Sequence, residues 1–361
     1  MKGYFVHFDV RRVVGITAKV EMQIAELKKH FELDEVIVRQ NNRTLLQRVW
    51  ELNPFVMGKK YNLESAYKHI QNPDFLYVRA VWSCRQYISF FKKIKELYPK
   101  CTIIVEIPTY PYDKNVQRIL VPRDRYSRKD YKKYVDVIAT YSDDSVIFGV
   151  PTLNVENGID VNAVKKAEGN LDKNVIRLIA VSTMLKNHGY ERILEGLGNY
   201  YANGGQRNIV IYMVGEGPEK KYYQKIVENR GIKEHVVFCG KKTGRELDEI
   251  YDVADMALTS FGFYKIDVYR MSALKSRECL AKGLPLINGC VIDIFENEPY
   301  RYSLDFPNDA SIVDMNKVVG FYDEIYYGKE KADVVNEIRQ FAYEKVDISV
   351  AMKPIIEFLK K

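Results

Sequence analysis

The run Thr102–Ile107, TIIVEI, constrains this chain most. It is almost continuously apolar, with no alternation of apolar and polar residues. Strands of parallel sheets read this way because both of their faces are buried. Parallel neighbours cannot be joined by a tight hairpin and need a crossover, usually a helix. The first half of the chain supplies that pattern. Residues 3–8, GYFVHF, read as a strand, and 17–30 place Val20, Ile24 and Leu27 at helical spacing behind Thr17 as a cap. Residues 35–39 and 75–80 read as strands, and 86–97 as a helix with Phe90, Phe91 and Ile94 inward. Strands at 135–140 and 146–153 follow. This alternation implies a doubly wound α/β sheet.

The second half repeats it. Residues 157–160, NGID, form a turn by their chemistry, and the polar stretch 161–174 reads as a linker. Strands are expected at 175–181, 209–214, 236–238 and 255–260, and helices at 189–201, 218–229 and 244–253. Two further helices are expected at 333–343 and 350–359.

Residues 272–287, SALKSRECLAKGLPLI, read as a short helix running into a strand. Ser272 is the expected N-cap and Gly283 the left-handed residue past the helix end. Pro285 blocks continuation, and Leu284, Leu286 and Ile287 form the strand. Lys275 and Glu278 are three apart and share a face near the helix start. A cation, a carboxylate and free amides there suit the diphosphate and ribose diol of a nucleotide sugar. The same pair also reads as an exposed ion pair worth about 0.2–0.5 kcal/mol.

Three further turns carry chemistry. Gly215-Glu216-Gly217-Pro218 follows a strand and opens a helix, where backbone amides favour an anion. Lys186 to Gly189, KNHG, has the same placement. Glu106 ends the strand TIIVEI, at the carboxyl edge where open α/β sheets bind ligands. It is followed by Tyr110 and Tyr112, rings suited to stacking on sugar.

With 361 residues, 47% hydrophobic and 29% charged, the chain has the composition of a soluble two-domain protein. No apolar run reaches the ~20 residues of a membrane span. The five cysteines have no paired spacing, so reduced thiols in the cytoplasm are expected. His7, His30, His69 and His235 show no metal-ligand spacing, and there is no P-loop or GxSxG. No metal and no cofactor are expected. The net charge of +7 lies wholly before residue 161, where 26 Lys/Arg face 19 Asp/Glu. Arg11 and Arg12 precede Gly15. Arg123, Arg125, Arg128, Lys129, Lys132 and Lys133 crowd one segment with Tyr126, Tyr131 and Tyr134. This segment is expected to meet an anionic membrane, with the chain peripheral on the inner face. Nothing resembles a nucleic-acid reading helix, so no nucleic acid partner is expected.

RECLAKGLPLI resembles the donor-site helix of glycosyltransferase family 4 and its GT-B relatives. The resemblance implies that Glu278 holds the ribose. Lys275 fits an LK-x-x-E variant found in polysaccharide-assembly transferases. Arg270 stands where the family carries a second Glu. VGEGP is similar to the family's donor turn, which gives Gly215, Glu216 and Gly217 donor roles. In KNHG, His188 and Gly189 align with a Lys-Gly pair that grips the diphosphate, Thr183 stands where the family has Arg, and Lys186 supplies the charge. Glu106 occupies the loop in which relatives carry a His at the reacting centre, and Gly15 matches the glycine loop facing the cleft.

The implied fold is α/β, GT-B. Two facing Rossmann-like domains, at 1–165 and 166–335, precede C-terminal helices at 336–361 that pack back on the first domain. The implied activity is a retaining, metal-independent hexosyl transfer from a nucleoside diphosphate sugar to a glycan or lipid-linked acceptor. Glu106, Lys186 and Lys275 would be the catalytic set, with Tyr110 and Tyr112 on the acceptor side. Alternatives are a sugar-nucleotide epimerase, a phosphorylase, or a non-catalytic binding protein on the same scaffold.

Overall fold

Two parallel sheets account for the alternation, one in each of two units. The computed structural model describes residues 1–361 except 9–13, 54, 59, 81, 114–117 and 297, with backbone alone at 14, 15 and 65. Unit 1 comprises Met1–Gly158 and Ile348–Lys361, and unit 2 comprises Ile159–Asp347. The chain passes between them inside the NGID turn.

Unit 1 runs β1 (Lys2–Phe8), α1 (Val14–Lys28), β2 (Glu32–Val38), α2 (Leu45–Trp50), α3 (Leu63–His69), β3 (Phe75–Arg79) and α4 (Arg85–Leu97). It continues through β4 (Thr102–Ile107), α5 (Val121–Arg128), α6 (Tyr131–Tyr134), β5 (Val137–Thr140), β6 (Val146–Ile147) and β7 (Val150–Asn154). The sheet order is β2-β1-β3-β4-β5-β7-β6, parallel except for the β6–β7 hairpin. One strand was expected over 146–153. Phe148 and Gly149 instead take φ of 54° and 78°, and this left-handed turn folds the run back on itself. The burial of β4 explains its composition. Ile103 and Val105 face one core with Phe90 and Phe91 of α4. Ile104 faces the opposite core with Val20, Ile24 and Leu27 of α1.

Unit 2 runs β8 (Val175–Val181), α7 (Glu191–Ala202), β9 (Asn208–Val214), α8 (Lys220–Asn229), β10 (Val236–Gly240), α9 (Arg245–Val253) and β11 (Met256–Leu258). Next come β12 (Arg270–Met271), α10 (Leu274–Lys282), β13 (Leu286–Asn288), β14 (Val291–Ile292), β15 (Ser303–Asp305), α11 (Met315–Ile325) and α12 (Lys331–Lys345). The main sheet has the order β10-β9-β8-β11-β13-β15, and every pairing in it is parallel. The last helix, α13 (Ile348–Leu359), belongs to unit 1. Its Ile348, Met352, Ile355 and Leu359 complete the core beneath α1. The C-terminal helices therefore divide, with α12 in unit 2 and α13 in unit 1. The five cysteines are free thiols. No described helix is long and apolar enough to cross a membrane.

Candidate functional site

In unit 2 the strand order reverses between β8 and β11. The loops leaving the carboxyl ends of such a pair diverge to opposite faces of the sheet and leave a crevice between them. The loop after β8 carries Lys186–His188 as a single 3₁₀ turn ending at Gly189. The loop after β11 meets it there, where the Phe261 amide donates to the His188 carbonyl at 2.7 Å. The approach is close enough to require glycine. A Cβ on Gly189, whose φ is +61°, would lie 2.4 Å from the Gly262 nitrogen. The turn after β9 packs on the same loop. A Cβ on Gly215, at φ +123°, would lie 1.8 Å from the Ser182 carbonyl oxygen, and one on Gly217 equally near that of Thr183. Met184, between them, takes φ 42°, a conformation costly for a side chain of its size.

Two chemistry-bearing segments converge on this crevice. The Leu185 amide donates to His188 Nδ1 at 2.9 Å, so the imidazole carries its proton on Nε2. Burial, aided by the charge of Lys275, pushes the His188 pKa down to about 3. His188 is therefore a neutral hydrogen-bond donor at ordinary pH. Its ring stacks on Tyr190, with centroids 5.9 Å apart and planes 12° apart. Lys275 Nζ in turn donates to the Tyr190 hydroxyl at 3.2 Å. Glu278, half-buried, sits on α10 one turn beyond Lys275. Burial pushes its carboxyl pKa up, while Lys282 and Lys275 pull it back.

One expected cap is placed differently. Ser272 is not the cap of α10. Ala273 is the N-cap, without a side-chain bond, and Ser272 accepts from Arg277 at 3.3 Å. Gly283 takes the expected left-handed conformation at φ 83°. Glu216 is exposed and paired with Lys220 at 2.6 Å, one turn along. Arg270, at the second-Glu position, pairs with Glu296 at 2.6 Å. Lys186 is exposed on the crevice loop.

Sequence reasoning missed Tyr190, fully buried between His188 and Lys275. It also missed Arg277, fully buried and paired with buried Asp293 at 2.6 Å. Arg192 was missed as well. Its guanidinium donates to the carbonyls of Phe261 and Pro307 at 2.8 and 2.9 Å and so ties the crevice loop to the chain beyond β15. The signal was present only as HGYER following a strand. Nothing in spacing says which of those side chains turns inward.

In unit 1, Glu106 lies at the carboxyl end of β4 but is fully buried. Its oxygens face the Arg79 guanidinium, Lys19 at 3.5 Å, the hydroxyls of Tyr141 and Tyr77 at 2.9 and 3.1 Å, and the Gln23 amide at 3.3 Å. Burial pushes the carboxyl up, but Arg79, Lys19 and the hydroxyls outweigh it and hold the pKa at about 2. Burial holds Lys19 down to about 8. The expected open carboxylate is thus a closed, saturated one.

Tyr112 is likewise not a free sugar-stacking ring. It is buried, and its hydroxyl donates to Asp124 at 3.0 Å. Tyr110 is half-buried against Phe148, ring edge to face at 5.7 Å. The surroundings of Gly15, and residues Arg11 and Arg12, lie outside the described residues.

The basic segment is largely spoken for. Arg123 is buried, Arg125 and Arg128 bind Asp113 at 2.8 and 2.7 Å, Lys133 binds Asp130 at 2.7 Å, and Tyr131 is buried. Among the described residues no group of three or more His, Cys, Asp or Glu is placed to hold a metal ion.

Residues 162–262 match the family model of glycosyl transferases group 1. No protein of curated function matches the chain by sequence. Among solved structures, the chain is similar to HepE of Anabaena in complex with UDP, at 12% identity over 100% of both chains, with a TM-score of 0.67. It is also similar to a glycosyltransferase from Rickettsia africae, at 12% identity over 99% of this chain and 97% of that one, TM-score 0.64. The lipopolysaccharide outer core galactosyltransferase WaaB is similar at 13% identity over 100% of both chains, TM-score 0.62. The chain therefore has the GT-B fold, built from two Rossmann-like units, and over residues 162–262 it resembles the glycosyl transferases of group 1.

Proposed function

We propose that this protein is a retaining glycosyltransferase that moves a hexose from a nucleoside diphosphate sugar to a hydroxyl of a glycan or lipid-linked acceptor. The observation that carries the reading is the convergence of Lys275, Tyr190 and His188 at the crevice of unit 2, with Glu278 one turn further along α10 and coupled electrostatically to Lys275. HepE, which shares the fold, has been solved with UDP and with UDP-glucose, so a uridine nucleotide is the first donor to test.

In this reading Glu278 accepts the ribose hydroxyls. Lys275 and Lys186 supply positive charge to the diphosphate. His188 donates from Nε2, and the amides after Gly189 and Gly215 donate beside it. Charge grows on the leaving diphosphate as the bond to the anomeric carbon breaks, and fixed donors aimed there lower the barrier without a metal ion. The acceptor hydroxyl attacks from the face the diphosphate leaves, and its proton passes to the departing phosphate oxygen. No covalent nucleophile is needed. Glu106 acts as a positioning group through Lys19 and Arg79 rather than by touching substrate. Tyr110 remains on the acceptor side of the reading and Gly15 on the donor side, and the site of action is the cytoplasm.

The test is a thermal-shift screen across nucleoside diphosphates, followed by donor turnover with and without acceptor glycans. A ligand that binds only the folded chain raises its melting point. A shift with one nucleotide that Glu278→Gln reduces, together with donor turnover, supports the transferase. Binding without any turnover points to a non-catalytic protein, and no shift with any nucleotide overturns the reading.

A further inference from the structure

Unit 1 carries an apolar surface that the donor chemistry does not use. Helix α2 buries none of its residues. Leu46 is 82% exposed, Leu45 76%, Trp50 73% and Phe55 65%. Single exposed apolar residues are ordinary, but large ones turned outward together mark an interaction site. Leu46, Trp50 and Phe55 border an open groove of ≈ 790 Å³ between α2 and the turn after it, with Val49 and Met57 on its walls.

The presentation is anchored. Thr44 and Gln47 close a reciprocal capping box at the start of α2. Glu51, at the other end, is buried and held by Arg43 and Arg123. The Phe55 ring meets Tyr126 of α5 edge-on at 5.0 Å. The exposed charge that α2 itself carries is basic. Glu51 is the one acid in residues 41–58 and it is turned inward, whereas Arg48 on α2 and Lys129 after α5 are exposed.

We propose that this face docks unit 1 onto an anionic lipid bilayer, with Trp50, Leu45, Leu46 and Phe55 entering the headgroup–acyl boundary. Indole rings favour that boundary, the aliphatic groups gain by leaving water, and arginine and lysine beside them meet lipid phosphates. A protein partner for an apolar groove needs no exposed arginine beside the indole. With only one short helix to insert, the attachment is reversible and depends on both apolar contact and charge. The proposal goes beyond the transferase reading and uses none of its donor residues.

The experiment is co-sedimentation of the whole chain with vesicles of phosphatidylcholine alone and of phosphatidylcholine mixed with phosphatidylglycerol. Binding is expected to the mixed vesicles and to fall at least about tenfold in the Leu46→Ser/Trp50→Ser variant, whose exposed positions leave folding intact. Arg48→Glu/Lys129→Glu should remove the preference for the anionic vesicles. Trp82→Phe leaves Trp50 as the one tryptophan, and its emission should shift to the blue on mixed vesicles. Circular dichroism and thermal unfolding confirm that each variant is folded, and nucleotide binding, measured separately, reports on the donor site. Unchanged sedimentation of the double-serine variant, no binding to mixed vesicles, or an unmoved Trp50 emission overturns the proposal. So does a concentration-dependent dimer that the double-serine change dissolves, which would assign the face to a second copy of the chain.

Discussion

Lys275 Nζ and the hydroxyl of Tyr190 lie 3.2 Å apart and join helix α10 to the loop after β8. The contact ties the two segments together, and the charge of Lys275 adds to burial in lowering the proton affinity of His188. Lys275→Ala is expected to cut turnover about 10²–10³-fold while weakening nucleotide binding far less, since the charge it meets grows as the diphosphate leaves. Lys186→Ala should act in the same direction. In the Lys275 variant the His188 pKa, followed by NMR, should rise from about 3, because one of its two depressing causes is gone. Wild-type turnover in both variants would place the diphosphate elsewhere.

Glu278→Gln should weaken nucleotide binding by about 1.5–3 kcal/mol, the worth of a hydrogen bond to a charged group. Burial has raised the Glu278 pKa, so wild-type affinity should fall on acidification at a higher pH than for an ordinary glutamate. The glutamine variant should lack that dependence. Calorimetry across a pH series checks both, and equal affinities at every pH would remove Glu278 from the ribose.

Glu106→Gln should destabilise the fold by roughly 3–5 kcal/mol at neutral pH, because it leaves Arg79 and Lys19 buried without their counter-charge. Glu106 has a folded pKa of about 2, below its unfolded value, so its contribution is present above the ordinary carboxylate range and is lost as pH falls towards about 2. The gap between wild type and variant in denaturant unfolding should close over that window. Lys19 has the opposite effect. Its folded pKa of about 8 lies below the unfolded one, so its burial costs stability at neutral pH and costs less as pH rises past 8. A variant with full stability and slowed transfer would instead make Glu106 part of the chemistry.

Asp293→Asn should cost about 3–5 kcal/mol, since it removes the buried counter-charge of the fully buried Arg277. The loss should appear in the unfolding midpoint. Nucleotide affinity of the folded fraction should stay within a few-fold, because Arg277 faces the core side of α10 and not the crevice. An unchanged midpoint would mean that the pair is solvated.

The central strands of both sheets were legible because their burial is two-sided, whereas the edge strand β15 was not read and the β6–β7 hairpin was read as one strand. TIIVEI and VIRLIAV admit no other reading, and the observed β4 and β8 have the expected bounds. Helices α1, α4, α7, α8 and α9 were legible from apolar spacing, apart from their ends. The turn Gly215-Glu216-Gly217-Pro218 and Gly283 could be read because glycine is required wherever one backbone meets another or turns left-handed. Helices α2, α5 and α6 could not be read. They are short, and α2 turns apolar residues outward, so the usual rule of burial assigns it nothing.

The sequence determined which residue types would stand at strand ends, since local backbone and apolar periodicity decide that. Which of those groups are open to a ligand was decided only by tertiary structure. Glu106 and Tyr112 have the composition of a site, but Arg79, Lys19 and Asp124, distant in sequence, close over them. His188 stands where the resemblance places a lysine. A single backbone amide from Leu185 and the burial of its ring make it a neutral donor. The same holds for charge. The excess of the first half could be counted from the sequence. Which basic groups are open to a partner could not, because Arg125, Lys133 and Arg43 are paired with Asp113, Asp130 and Glu51 through contacts that exist only in the folded chain.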